Sequence, residues 1–341
     1  MNIDLSTCYL KRTLKNPLVV SACPLTGSIK SLQELEEAGA SAVVLQSLFS
    51  EQIEHEEYES FRLHSFASDQ SFESSSYFPE LDRYNSGPEP HLEFLEGAKK
   101  AIHIPIIASL NGTSLGQWVK FARLYELAGA DALELNIYFV STNLATNGNE
   151  VEKRYLDIVS EVARNLSIPL AVKIGPYFSS LPHFAKNLVN AGADGLVLFN
   201  RYLDPEIDLE RLSVQPHLEL SQPSELRLVL RWIGILRDQL PCSLAATSGI
   251  HSASESLKAL LAGANVTMMA STLLKNGPGH LAVILDELTH WLEAHQYRSV
   301  QELIGSLSRD RSEDALSFER GNYMKALVSY SSPKLNKPQA D

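Results

Sequence analysis

The chain has little that would mark a secreted, membrane-bound or nucleic-acid-binding protein. Its three cysteines, Cys8, Cys23 and Cys242, are too few and too scattered among 341 residues for a disulfide framework or a metal cluster. No apolar run approaches the roughly 20 residues needed to cross a bilayer. The start, MNIDLSTCYLKRTLKNP, has no apolar core of the kind a signal peptide carries. Lysine and arginine number 29 against 41 aspartates and glutamates, a formal charge of −12, and no basic run is longer than a pair. That balance repels nucleic acid and anionic lipid, so an anionic ligand must be held by a local site. Histidines and carboxylates show no metal-ligand spacing, and there is no Ser-His-Asp arrangement. These absences predict a cytoplasmic, soluble protein that acts on a small molecule, without metal, nucleic acid or membrane.

What is present is a repeated way of opening apolar runs. Prolines open four of them: NPLVVSA at Pro17, IPIIASL at Pro105, IPLAVKI at Pro169 and LPCSLAA at Pro241. A helix-ending AGA phrase opens the other four, at Gly39, Gly129, Gly192 and Gly263, where glycine is the expected C-cap that turns the chain into the next strand. The two signals alternate along the chain. Eight short, wholly apolar runs separated by helical stretches read as parallel strands buried on both faces. The count predicts a (β/α)8 TIM barrel; a doubly wound sheet is the other candidate and gives no reason for a fourfold alternation. At 44% hydrophobic, residues 1–308 suffice for one barrel of about 250 residues with insertions. Residues 309–341 are expected to form a C-terminal extension, and the composition of its last part, SSPKLNKPQAD, predicts disorder.

The seventh and eighth runs end in Thr247-Ser248-Gly249 and Ala270-Ser271-Thr272. Small hydroxyl residues and glycine at two adjacent tips suggest a phosphate cradle, because backbone N–H groups approach an anion closely only where side chains are small. The other tips supply Ser21 and Ala22, Gln46 and Ser47, Ser109 and Asn111, Asn136, Lys173 and Asn200. Several of these are equally at home as packing residues. Lys173 sits among apolar neighbours and is open to three readings: a Schiff-base amine, a positive charge facing a reduced cofactor, or half of a pair with a strand carboxylate such as Glu134. His251 is either a helix cap or a phosphate contact, and Cys23 reads as a small buried hydrophobe. A long irregular stretch from Phe49 to Pro90 follows the second run, on the catalytic face, where a lid is expected.

In order and spacing, NPLVVSA, LELN, PLAVKIGPYF, LFN, TSGI, ASTLLKNGP and HQYRSVQELIG resemble the dihydroorotate dehydrogenase family, flavoproteins that hold FMN on a (β/α)8 barrel. The resemblance runs from about Leu14 to Leu307 and is nearest to the soluble class. It implies FMN-dependent oxidation of dihydroorotate to orotate, with hydride passing to flavin N5, in pyrimidine and UMP biosynthesis. Ser21 and Ala22 then contact the isoalloxazine, with Gln46, Ser47 and Asn111 beside it. Asn136 touches flavin and substrate, and Lys173 stabilises the anionic reduced ring. Ser248, Gly249, Ala270 and Ser271 bind the phosphate, while Asn85 and Asn200 join Asn136 at the substrate. Two positions depart from the family pattern. Its Cys or Ser base, three residues after the strand-four asparagine, is Phe139 here, and its strand-two lysine is Gln46. Phenylalanine cannot accept a proton, so Ser141 or Thr142, with Tyr138 beside them, are the candidate replacements. Three alternatives stand beside dihydroorotate oxidation: an FMN oxidoreductase with another planar, carbonyl-conjugated substrate, a flavin-free aldolase using Lys173, and a non-catalytic flavin carrier. A homodimer is compatible with the resemblance. The sequence does not name the electron acceptor.

Overall fold

A computed structural model describes residues 3–49, 88–111, 115–201 and 204–329. The expected lid, including Asn85, and the last part of the C-terminal extension, SSPKLNKPQAD, lie outside these residues.

The barrel strands are β1 (Leu18–Val20), β2 (Ala42–Val44), β3 (Ile106–Asn111), β4 (Ala132–Asn136), β5 (Leu170–Ile174), β6 (Gly195–Leu198), β7 (Ser243–Thr247) and β8 (Val266–Met269). All neighbours are parallel, β8 pairs with β1, and the β2–β3 pairing completes the ring. The protein is a (β/α)8 barrel. Its outer helices are α1 (Ile29–Glu37), α2 (Glu89–Ala101), α3 (Leu115–Leu127), α4 (Gly148–Arg164), α5 (Leu181–Asn190), α6 (Leu226–Leu236), α7 (Ala253–Ala262), α8 (Ser271–Asn276) and α9 (His280–Ala294).

The alternating signals have a structural cause. Each AGA glycine takes a positive φ, +105° at Gly39, +92° at Gly129, +116° at Gly192 and +127° at Gly263. Each closes the same pair of bonds: the glycine N–H to the carbonyl three residues back, and the next alanine N–H to the carbonyl five back. That is a Schellman termination, and it aims the chain into β2, β4, β6 and β8. The residue after three of these phrases then clasps the strand before it. Asp131 accepts from the Ile106 N–H at 2.8 Å, Asp194 from Leu170 at 3.0 Å and Asn265 from Leu244 at 2.9 Å. The prolines stand at strand starts, where a missing N–H costs no ladder bond. Their carbonyls still accept from neighbours, Pro17 from Thr267 and Pro105 from Val43.

Alternate strand residues point inward. Val19, Val44, Ile107, Ala132, Ala171, Val197, Ala245 and Met268 make the barrel's inner cluster, while their neighbours pack against the helices. Several of the inner residues are small, and a hairpin that the sequence did not reveal fills the space. Thr7–Tyr9 and Arg12–Leu14 pair antiparallel and contribute Tyr9, Leu10 and Leu14 to the inner cluster. Gly195 leaves room for this plug, since a Cβ there would stand 2.8 Å from Leu10. A second hairpin, Pro205–Asp208 with Ser213–Pro216, lies between β6 and α6. The extension after residue 308 is tied to the barrel: the Arg309 N–H donates to Gly234, and Phe318 lies so close that a Cβ on Gly234 would meet it at 2.3 Å. A further helix, Gly321–Ser329, follows.

Candidate functional site

At the C-terminal end of the barrel a cleft of about 270 Å³ opens between the tips of β1, β5, β6, β7 and β8. Ser21, Ala22, Lys173, Asn200, Ser248, Gly249, Ala270 and Ser271 line it together. Residues spread over 250 positions of sequence thus meet in one place because parallel strands deliver all their tips to the same face.

The cradle is built by backbone constraint. Ser248 and Gly249 both have positive φ, +75° and +76°. A Cβ on Gly249 would stand 2.6 Å from the Leu226 amide nitrogen and 3.0 Å from the Gln222 carbonyl, so only glycine fits there without displacement. Opposite, Ala270 is the N-cap of α8, and its carbonyl accepts from the Leu273 and Leu274 N–H groups. The loop before α6 closes this end through Ser221, a residue the sequence does not single out. Ser221 is buried, its N–H donates to Ser271 Oγ at 3.0 Å, and its hydroxyl lies 3.2 Å from His251 Nε2. Its position just before Pro223 and a helix start was the available signal. Burial, and then the Lys275 charge, hold the His251 imidazolium below the usual histidine range. Arg201 secures the same loop, through Glu225 at 2.9 Å and the Glu219 carbonyl.

The other end of the cleft is formed by the tips of β1, β5 and β6; Asn136, at the end of β4, is not among its lining residues. Ser21 lines this end, and its N–H donates to the Met269 carbonyl at 2.9 Å. Cys23 lines the cleft, and burial pushes its thiol up despite backbone N–H groups of Leu25 and Thr26 and the Lys173 charge, which act the other way. Asn136 and Lys173 are register partners on β4 and β5. Asn200 donates to Asn136 Oδ1 at 2.6 Å. Lys173 Nζ stands 3.6 Å from Glu134 Oε1, so the pairing that the sequence left open is present.

Other expected site residues stand apart from this cleft. Gln46 lines a separate hollow of about 230 Å³ with Gly27, Pro90, His91, Phe94 and Tyr125. Its amide is held over Gly27, where a Cβ would meet Gln46 Oε1 at 2.8 Å. Ser47 shares a hydrogen bond of 2.7 Å with Ser109. Asn111 is buried at the end of β3 and is not in the cleft lining. Ser141 and Thr142 are exposed, and no residue from 137 to 142 lines the cleft. Phe139 packs against the outer core under the Arg154 guanidinium, 4.3 Å from its ring centre. The segment after β4 therefore packs its aromatic side chain away from the cleft.

The fold and the cleft define a class: a (β/α)8 barrel with its ligand site at the mouth and small-residue tips on the last two strands. The family model described as dihydroorotate dehydrogenase matches residues 79–292, and the chain belongs to that family, a family of oxidoreductases. It is 25% identical over 310 residues to the dihydroorotate dehydrogenase B (NAD(+)) catalytic subunit of Thermoplasma volcanium, covering 89% of this chain and 98% of the relative. Similar catalytic subunits from Geobacter sp. and Shouchella clausii are 29% and 27% identical, over 61% and 59% of this chain and 70% and 68% of theirs. Among the described residues no helix is long and apolar enough to cross a membrane, and no group of three or more His, Cys, Asp or Glu is placed to hold a metal ion.

Proposed function

We propose that the protein is an FMN-dependent oxidoreductase that moves a hydride between the flavin and a planar, carbonyl-conjugated CH–CH unit, with dihydroorotate as the first substrate to test. The observation that carries this reading is the shared cleft: the small-residue cradle and Lys173 line one continuous space. When bound, FMN supplies the hydride acceptor at N5. Ser248, Gly249, Ala270 and Ser271 would hold its phosphate through close backbone approach, with Ser21 and Ala22 against the ring. The Lys173 ammonium would favour negative charge on that ring. Asn200 lines the cleft and would present its amide to a substrate bearing carbonyl and N–H groups, with Asn136, bonded to it, fixing its orientation.

Oxidising dihydroorotate also requires a proton acceptor at the substrate carbon, and a positioned base contributes about 10²–10⁴-fold. Phe139 faces away from the cleft, and Ser141 and Thr142 stand outside it. This favours a second reading, in which the same flavin site serves another planar substrate whose chemistry needs no base at that position. The aldolase alternative is weakened by Glu134, whose buried carboxylate stands 3.6 Å from Lys173 Nζ, because a Schiff base needs the amine free to attack a carbonyl.

The test is anaerobic rapid mixing of the purified, FMN-loaded protein with excess dihydroorotate while the visible flavin band is followed. Bleaching at turnover rates supports dihydroorotate oxidation. A flavin that dithionite bleaches and dihydroorotate does not discards that substrate, and a protein that takes up no FMN discards the flavin reading.

A further inference from the structure

Glu134 is 0% exposed, and neither carboxylate oxygen has a hydrogen-bond partner among the described residues. A carboxylate in that state is costly unless a charge compensates it. Its compensation is Lys173 Nζ at 3.6 Å, on a side chain 11% exposed to the cleft. The groups around the pair supply none. From the hairpin below, the buried Tyr9 hydroxyl is kept neutral by burial and by the Glu134 charge itself. From β1, Cys23 is a neutral thiol. Arg201, the other cation lining the cleft, is committed to Glu225. Lys173 is thus held from inside the barrel by one carboxylate and faces the ligand space with its other side.

We infer that Glu134 is a positioning residue for this site. It anchors the Lys173 ammonium at the cleft wall and offsets part of its charge, so that it sets how strongly the cleft favours an anionic over a neutral ring. The second half of this inference rests on the flavin reading above; the anchoring does not.

Four proteins decide both halves: the natural chain, Glu134→Gln, Lys173→Met, and the double variant. In urea unfolding of the flavin-free proteins, either single substitution lowers the midpoint and the double variant lies closer to the natural chain than either. Midpoint losses that add in the double variant overturn the anchoring. In the FMN-loaded proteins, Lys173→Met lowers the flavin reduction potential and Glu134→Gln raises it, each by about tenfold in relative affinity for reduced over oxidised flavin, or ~30 mV for a two-electron couple. A purely structural role lowers urea midpoints and leaves potentials unmoved; shifts of the same sign, or none, overturn the offset. If Glu134→Gln does not fold, the double variant against Lys173→Met carries the same comparison, with the double expected to be more stable and higher in potential. A natural chain that binds no FMN refutes the flavin reading, and the urea series still decides the anchoring.

Discussion

The Asn200 side chain donates to Asn136 Oδ1 at 2.6 Å, joining the tip of β6 to the tip of β4 across Lys173 on the intervening strand. Each amide fixes the orientation of the other. Asn200→Ala is expected to raise the substrate KM by about tenfold, the order of one lost buried hydrogen bond with its partner left unpaired, while FMN content stays near stoichiometric. Steady-state kinetics with flavin quantitation checks this. Loss of flavin in the variant would move Asn200 from the substrate to the cofactor.

Gly249→Ala should damage cofactor retention and folding together. The added Cβ meets backbone atoms of Gln222 and Leu226 at 2.6–3.0 Å and sits at a φ of +76°, a combination that costs about 1–3 kcal/mol from the backbone conformation alone. Urea unfolding of the flavin-free variant and its flavin stoichiometry read the two effects. Unchanged values in both would show that the tip yields without strain.

Restoring a cysteine by Phe139→Cys is not expected to create dihydroorotate oxidation. The side chain at 139 packs outward beneath Arg154, so the substitution removes packing and lowers stability by about 1–3 kcal/mol without placing a thiol in the cleft. Stopped-flow bleaching by dihydroorotate, compared with the natural chain, is the check. A large gain in rate would mean that the segment swings inward when substrate binds.

His251 should make the fold acid-sensitive. Burial first, and then the Lys275 charge, hold its folded pKa below the unfolded value. A histidine shifted that way contributes stability that is complete above its unfolded pKa of ~6.5 and is lost as pH falls through the folded value. The urea midpoint of the natural chain should therefore drop more between pH 7 and pH 5 than that of His251→Gln, to the extent that this residue carries the drop. Parallel pH profiles would remove His251 from the account.

The barrel was legible in the sequence because its punctuation is local. A Schellman turn is decided by a glycine and the residues within five positions of it, so the phrases at Gly39, Gly129, Gly192 and Gly263 declared four strand openings without any tertiary information. The tips of β7 and β8 were legible for the same reason, since small residues at the ends of apolar runs are visible in a window of a few positions. The plug formed by Tyr9, Leu10 and Leu14 was not, because the small residues that make room for it, Ala132, Ala171, Gly195 and Ala245, come from four different strands, and nothing near residue 10 signals that they leave a gap. Ser221 was hidden likewise: its neighbours Ser271 and His251 lie 50 and 30 positions away.

The sequence by itself determined the order of the barrel strands and helices and the family, because local backbone preferences and strand periodicity suffice for these. Only the tertiary structure decided how the side chains at the mouth point and what they touch. It turned Phe139 away from the cleft, carried Gln46 into a separate hollow, and set Glu134 against Lys173. Such choices depend on distances between strands that share no sequence neighbourhood, and on whether a buried charge finds its partner there.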